Sequence, residues 1–221
     1  MAGLCTVHTK ITSPDLTTET FHRWYKSHIV DDIIKLPGIP AALRWKTLAG
    51  SERPWLASYP VQSVEVFREE GWNSLVHHSD ILPPPHNFVD LMDFDTRYYK
   101  IVDKHEGTAD KNATAKFVEW VAFTPGGEAD FDKWYKDEFL PSTASAKGYL
   151  RTFRYKLAYA EDNVDVVDPN TVPSILLYNE FESEARDAVS KILATDQAQK
   201  IFKSAKLEQH VSLELIEAYH A

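Results

Sequence analysis

The amino-acid sequence predicts an α+β fold in which one β-α-β-β-α-β unit is written twice and the two copies close into a single barrel. Three observations carry this. Phe21-His22-Arg23-Trp24-Tyr25-Lys26 returns 110 residues later as Phe131-Asp132-Lys133-Trp134-Tyr135-Lys136, and Leu43-Arg44-Trp45-Lys46 returns at the same displacement as Phe153-Arg154-Tyr155-Lys156. In a chain of 221 residues that displacement is half the length, the mark of an internal duplication. Each half also alternates strand-like and helix-like periodicity in the same order. Finally, a four-stranded sheet with helices on one face leaves the other face bare. Two such sheets meet through their bare faces or curl into one barrel, which removes exposed edges.

In the first half, Leu4 to Ile11 alternates as a strand, and Ser13-Pro14-Asp15 turns the chain. Thr17 or Thr18 caps a helix whose apolar stripe is Phe21, Trp24, Tyr25, His28, Ile29, Ile33 and Leu36, at spacings of three and four. Pro37-Gly38 ends it. Ala41 to Leu48 and Trp55 to Val61 are the next strands, Ser63 caps a second helix reaching about His77, and Phe88 to Val102 is a long fourth strand. The second half repeats this order. Lys116 to Phe123 is a strand, Asp130 to Ala146 a helix, Leu150 to Ala160 and Ser174 to Phe181 strands, Glu184 to Ser204 a helix and Val211 to Tyr219 the last strand. This is the ferredoxin-like order. It predicts two units, 1–103 and 113–221, joined by a polar linker from Lys104 to Asn112. Two segments break the symmetry: Ser79 to Asn87, with Pro83, Pro84 and Pro85, and the acidic Glu161 to Pro173, read as a surface loop.

Composition narrows the function classes. A hydrophobic fraction of 43% with 12% aromatics is ample for a packed core, and a net charge of −9 argues against nucleic acid as a partner, because phosphate binding needs a basic face. The single cysteine, Cys5, allows no intramolecular disulfide and makes a thiolate zinc site a poor reading. No apolar stretch approaches the roughly 20 residues of a membrane-spanning helix, and Met1 to Lys10 lacks the pattern of a signal peptide. A cytoplasmic protein without a membrane partner is the expectation.

The run Phe21-His22-Arg23-Trp24-Tyr25-Lys26-Ser27-His28, followed by Leu36-Pro37-Gly38, resembles the helix signature of the EthD-like proteins, in which an aromatic pair precedes a histidine and a leucine-proline-glycine closes the helix. These belong to the dimeric α+β barrel superfamily. The resemblance covers the first half directly and the second through the repeat. It implies two tandem ferredoxin-like units forming an intramolecular dimeric α+β barrel. It also implies a chemistry drawn from dehydration, decarboxylation, cyclisation, isomerisation or cofactor-independent oxygenation, in some fungal members beside polyketide synthesis. Fold alone does not choose among these.

His28 is the first candidate for proton transfer. It lies on the buried aromatic stripe and at the family's histidine position, and the second copy has Glu138 there. The competing reading is a core histidine bonded to a backbone carbonyl. Alternation places Thr6, His8 and Lys10 on one face of the first strand and the more apolar Cys5, Val7 and Thr9 on the other. His8 then faces the barrel interior or the seam between the two units as a second candidate acid or base, matched by Glu119 if the following loop is one residue shorter in the second copy. His86, beside the proline run, can close a pocket mouth as a further proton carrier. His77 and His78 read as helix-end residues, and His22 and Asp132 as solvated ones. Trp24, Tyr25, Tyr59, Lys46 and Glu138 are the candidate substrate-binding residues. Tyr59 and Tyr178 stand at matching places in the third strands, and Lys46 offers a cation for an enolate, although a solvated or ion-paired role suits the Arg44–Lys46 and Arg154–Lys156 pairs better.

No metal is expected, since the histidines have no acidic or thiolate partner at zinc spacing. No other cofactor is expected either, there being no phosphate-binding glycine loop. A haem on a histidine, as in related barrels, would announce itself by a Soret band. The reading is a cofactor-independent acid–base enzyme (dehydratase, decarboxylase, cyclase or isomerase) acting on a small, apolar, oxygenated substrate of polyketide or aromatic type. The alternatives are a cofactor-independent monooxygenase and a non-enzymatic small-molecule-binding or stress-associated protein. Pairing of two chains as a homodimer is left open.

Overall fold

Alternation along the first strand decides which face meets which neighbour. In the computed structural model β1 (Gly3–Ile11) turns Cys5 and Val7 toward the helices and Leu4 into the barrel, as the apolar bias of the two faces requires. The structure describes residues 2–48, 51–75, 77–108, 113–163 and 165–221, and the backbone alone of 206–208.

The remaining strands are β2 (Ala41–Thr47), β3 (Trp55–Val61), β4 (Met92–Glu106), β5 (Phe117–Thr124), β6 (Tyr149–Asp162), β7 (Asp165–Val166), β8 (Ile175–Phe181) and β9 (Lys206–His220). Their order is β4-β1-β3-β2-β9-β5-β8-β6-β7, and an additional β4–β6 pairing closes the circle. Every pairing is antiparallel. Eight strands form the barrel, and β7 is a flap on β6. The halves meet at two seams, β2–β9 and β4–β6. The chain therefore has the dimeric α+β barrel fold within one polypeptide. Side chains fill its interior, among them Trp45, Trp120, Tyr99, Tyr155 and Tyr178, as expected for a barrel of this strand number.

Helices cover the outside. α1 (Thr18–His28) starts at Thr17, whose hydroxyl accepts from Thr20 N at 3.1 Å, and widens into a π turn at Ile29–Ile33. Gly38, at φ 88°, ends this helical segment. Gly148, at φ 79°, does the same in the second half, and both use the left-handed conformation that glycine alone adopts freely. The second-half helix is α4 (Glu128–Trp134), a π turn at Tyr135–Phe139 and α5 (Leu140–Ala144).

The same arginine clip holds helix to sheet in both halves. Arg44 lies 4.5 Å from the Tyr25 ring and 5.4 Å from Phe21 while donating to His22 Nδ1 at 3.0 Å. Arg154 lies 5.2 Å from Tyr135 and 5.3 Å from Phe131 and bonds Asp132 at 2.7 Å. A desolvated cation–π contact is worth about 2 kcal/mol, so packing accounts for the shared arginines. His22 and Asp132 are not merely solvated. Each accepts from the guanidinium, which is why imidazole and carboxylate can exchange there. Burial first, and then the Arg44 charge, hold His22 below the usual histidine pKa, and so able to accept.

Several boundaries differ from expectation. Ser63 is a cap, but it opens only a 3-10 turn, Val64–Arg68, followed by the short α2 (Glu70–Asn73), because Glu69 between them is extended. The expected start of the fourth strand is a helical turn, α3 (Phe88–Leu91). Glu184–Ser204 is two helices, α6 (Arg186–Leu193) and α7 (Asp196–Ser204), since Thr195 is extended and caps the second. Lys104 to Glu106 is strand rather than linker, paired with Phe153 to Arg151, while 109–112 of that segment lie outside the described residues. Among the described residues no helix is long and apolar enough to cross a membrane.

Candidate functional site

A cavity of about 280 Å³ lies between α1 and the outer face of the first-half sheet. Its helical wall is Trp24, Tyr25, His28 and Ile33, and its sheet wall Val7, Tyr59, Phe94, Thr96 and Tyr98. Trp72 and Asn73 of α2, Phe88 of α3, and Leu75 and His77 between them cover it. The space exists because the second helix of this half is reduced to turns of 5 and 4 residues. In the second half α6 and α7, of 8 and 9 residues, cover the sheet, and Phe202 of α7 packs at 5.6 Å on Trp134, the repeat partner of Trp24. Phe139 adds a second ring at 5.1 Å, so that position is filled.

His28 is the last residue of α1. Four residues on, inside the π turn, Asp32 accepts from His28 Nδ1 at 2.9 Å, leaving Nε2 as the nitrogen with a lone pair. Trp24 stacks on the ring at 5.3 Å with an interplanar angle of 11°, and Phe88 tilts against it at 5.9 Å. Burial lowers the His28 pKa below the usual histidine value, Asp32 opposes that shift, and neighbouring His77 adds to it. At neutral pH the imidazole is therefore unprotonated, oriented by a carboxylate and set in an aromatic wall. That is the state required of a general base. Tyr25 and Tyr59 are pushed up by burial, Tyr59 further by its neighbour Tyr25, so both remain phenols that can donate a hydrogen bond.

The second half enters this site. Glu161 and Asn163, at the end of β6, line the first-half cavity across the β4–β6 seam. Tyr98 Oη donates to Glu161 Oε2 at 2.8 Å and accepts from Trp72 Nε1 at 3.2 Å. Asn163, at φ 53°, clips the hairpin to β4: its Oδ1 accepts from Phe94 N at 3.0 Å, and its own N donates to Phe94 O at 2.8 Å. Asparagine tolerates this left-handed backbone better than most residues.

His28, Trp24, Tyr25 and Tyr59 come together as the sequence reading places them. The other candidates do not join them. His8 faces the barrel interior, edge-on to Trp120 at 4.9 Å, with the sheet between it and the cavity. His86 does not line the cavity. Its ring bonds Leu82 O at 2.6 Å within its own loop, and His77 occupies the wall instead. Lys46 is half exposed and paired with Glu214 at 2.9 Å, outside the site. Glu138 lies in the second-half π turn, which falls one helical turn earlier in the repeat than that of α1, and it lines no part of the cavity.

Strand register corrects two equivalences. Ser58 pairs with Leu43 and Thr6, as Tyr178 pairs with Phe153 and Trp120. Tyr59 therefore matches Asn179, Cys5 matches Glu119, and His8 matches Ala122. Glu119 is buried outside the barrel interior and bonded to His210 at 2.9 Å and Ser212 at 2.8 Å. Where the first half has a cavity, the second has packed rings and a buried polar cluster in which Glu119 Oε1 has no partner.

Tyr98, which the sequence places with Tyr99 at the end of the fourth strand among the tyrosines able to orient a substrate oxygen, does line the cavity, and His77, expected at a helix end, stands in its wall; Glu161, Asn163 and Trp72 carry no such reading in the sequence. Alternation of Phe94, Thr96 and Tyr98 carried a signal for the sheet wall. Glu161 and Asn163 carried one only as members of an unmatched segment. Among the described residues no three His, Cys, Asp or Glu side chains converge as a metal site. The cavity lies just below the ~300 Å³ at which drug-sized ligand pockets begin.

No protein-family model matches the sequence, and no curated protein matches it. Solved structures match the fold over nearly the whole chain. An anthrone oxidase-like protein superposes with a TM-score of 0.62 at 13% identity, covering 99% of this chain and 93% of its own. A candidate monooxygenase from Fusobacterium nucleatum gives 0.58 at 6% identity, covering 99% and 94%. A candidate chlorite dismutase gives 0.54 at 9% identity, covering 98% and 96%. These likenesses establish the dimeric α+β barrel architecture.

Proposed function

We propose that the chain is a cofactor-independent enzyme in which His28 removes a proton from an apolar, oxygenated aromatic molecule held in the first-half cavity. The observation that carries this is the His28–Asp32 pair: an imidazole in an aromatic cavity wall, one nitrogen held by a carboxylate and the other left to accept a proton. The aromatic-histidine motif of α1 supports membership in the EthD-like family, and the names of the structural neighbours favour oxygenation over the lyase and isomerase outcomes of the same first step.

The neighbour's name supplies a probe, since anthrone is acidic at the methylene carbon facing its carbonyl. His28 Nε2 takes that proton, and the carbanion bonds dioxygen and returns to neutrality as a hydroperoxide when His28 gives the proton back. Removal of the second methylene proton expels hydroxide, which leaves as water. Anthrone and dioxygen thus become anthraquinone and water, with no other oxidant.

The test is dioxygen uptake and quinone formation from anthrone by the purified protein. His28→Asn is expected to lower turnover by about 10²–10⁴-fold, the usual contribution of a general base. The acid limb of kcat/KM is expected below the ordinary histidine pKa of about 6.5, with activity level above it. Asp32→Asn removes the group that opposes the downward shift, so the limb moves to still lower pH. Full turnover in His28→Asn would sink the assignment.

A further inference from the structure

The cavity has one carboxylate in its wall, Glu161, and no lysine or arginine lines it. Among the described residues Glu161 forms no ion pair with a lysine or arginine, and its hydrogen-bond partner is the Tyr98 hydroxyl. The hydroxyl of Tyr98 is fully committed, since its one proton goes to Glu161 Oε2 and its oxygen accepts from Trp72. Burial pushes the Tyr98 phenol far up, so that proton stays in place. The second carboxylate oxygen, Oε1, accepts no hydrogen bond from any described residue.

Such a wall selects ligands by charge. A carboxylate or phosphate brought into this aromatic cavity beside Glu161 meets repulsion with no cation in the wall to offset it, since Arg68, 4.8 Å over the Tyr159 ring, lines no part of the cavity. A neutral ligand with an O–H group finds an acceptor, and a charge-assisted bond to a carboxylate is stronger than a neutral one. Glu161 is also held in position. Its strand neighbour Tyr159 stacks on Tyr98 at 4.1 Å, Thr96 lies opposite Glu161 in the β4–β6 register, and Asn163 fixes the chain two residues on.

We infer that Glu161, delivered by the second half of the chain, is the specificity-determining residue of the first-half cavity: it accepts a hydrogen bond from a hydroxyl on a neutral aromatic ligand and excludes ligands bearing a carboxylate or phosphate. This rests on the reading of the cavity as the substrate site, but not on the chemistry at His28. It also gives the unmatched segment of the repeat a role, because without β6 and its hairpin the cavity would have no carboxylate in this wall.

Trp24 and Trp72 line the cavity, so quenching of intrinsic fluorescence in the full-length protein reports occupancy. Three three-ring probes, titrated at pH 7 without oxygen, separate the outcomes: anthrone, 2-hydroxyanthrone, whose hydroxyl has no internal acceptor, and anthracene-9-carboxylate. The hydroxy compound is expected to bind at least about tenfold more tightly than anthrone, a 1.4 kcal/mol preference, and the carboxylate most weakly. Glu161→Gln is expected to shrink the hydroxyl preference and to strengthen carboxylate binding. If that variant folds poorly, Tyr98→Phe provides a second measurement, because it frees Oε2 and should preserve or raise the preference. Carboxylate binding as tight as that of anthrone in the wild type overturns the inference. So does an unchanged order in Glu161→Gln, or a lost preference in Tyr98→Phe. His28→Asn should keep the wild-type preference, so a failure of the catalytic reading is distinguishable from a failure of this one.

Discussion

His8 and His28 are both shielded from water, and burial lowers both pKa values, with different consequences. His28 lines a cavity and has a carboxylate partner in Asp32. His8 has neither: its Nε2 is buried without a partner, Arg97 stands nearby, and its pKa is lowered to about 4. A folded-state value below the unfolded 6.5 means that the unfolded chain takes up the proton more readily. The contribution of His8 to stability is therefore complete above about pH 6.5 and lost as pH falls through 4, an effect on the order of 3 kcal/mol. His8→Leu is expected to flatten this acid limb. Urea unfolding at pH 7 and pH 4.5 should show the wild type losing about 2 kcal/mol more than the variant between the two. An equal loss in both would refute the account. Alternation along β1 told which way His8 points. It could not tell that the cavity lies on the opposite face, because that depends on what the helices leave uncovered.

At the scale of elements, the hairpin from Glu161 to Val166 brings the second half of the chain into the wall of the first-half cavity. Its attachment to β4 depends on the paired bonds between Asn163 and Phe94 and on the left-handed backbone at Asn163. Asn163→Ala removes the side-chain bond and adds strain, at a cost of about 1–2 kcal/mol. Asn163→Gly loses the bond but keeps the backbone at ease. Hydrogen exchange at Phe94 and along the hairpin should be fastest in Asn163→Ala, intermediate in Asn163→Gly and slowest in the wild type. Unchanged exchange in both variants would show that the strand ladder alone holds the hairpin. The sequence marked this segment as unmatched, yet its acidic, proline-containing composition reads as a solvated loop. The abbreviated second helix was hidden for a similar reason: Ser63 is a good cap, and nothing local in Val64 to Asn73 announces that the helix breaks at Glu69.

For the whole molecule, the two seams decide what the halves can do alone. A first-half fragment ending at Glu106 exposes both β2, which loses β9, and β4, which loses β6. It also exposes Leu4, Trp45, Leu56 and Tyr99, which the barrel buries. Such edges and faces seek a partner. The fragment is expected to self-associate or precipitate, and light scattering after size exclusion should find no stable monomer. A well-behaved monomeric fragment would mean that the interior contributes less than the contacts imply. The fragment also lacks Glu161, so even a soluble form should lose hydroxyl selectivity.

The sequence by itself determined the duplication, the order of strands and helices, the inward and outward faces of β1 and the aromatic stripe that carries His28. These follow from periodicities of two and about 3.6 residues, which are properties of neighbouring positions along the chain. Tertiary structure alone decided that the cavity belongs to one half, that Asp32 orients His28, that Lys46, His86 and Glu138 stand outside the site, and that Glu161 reaches it from the other copy. Each of those depends on helix lengths left unmatched between copies, or on strand register across a seam. No local pattern encodes where residues far apart in the chain come to share a wall.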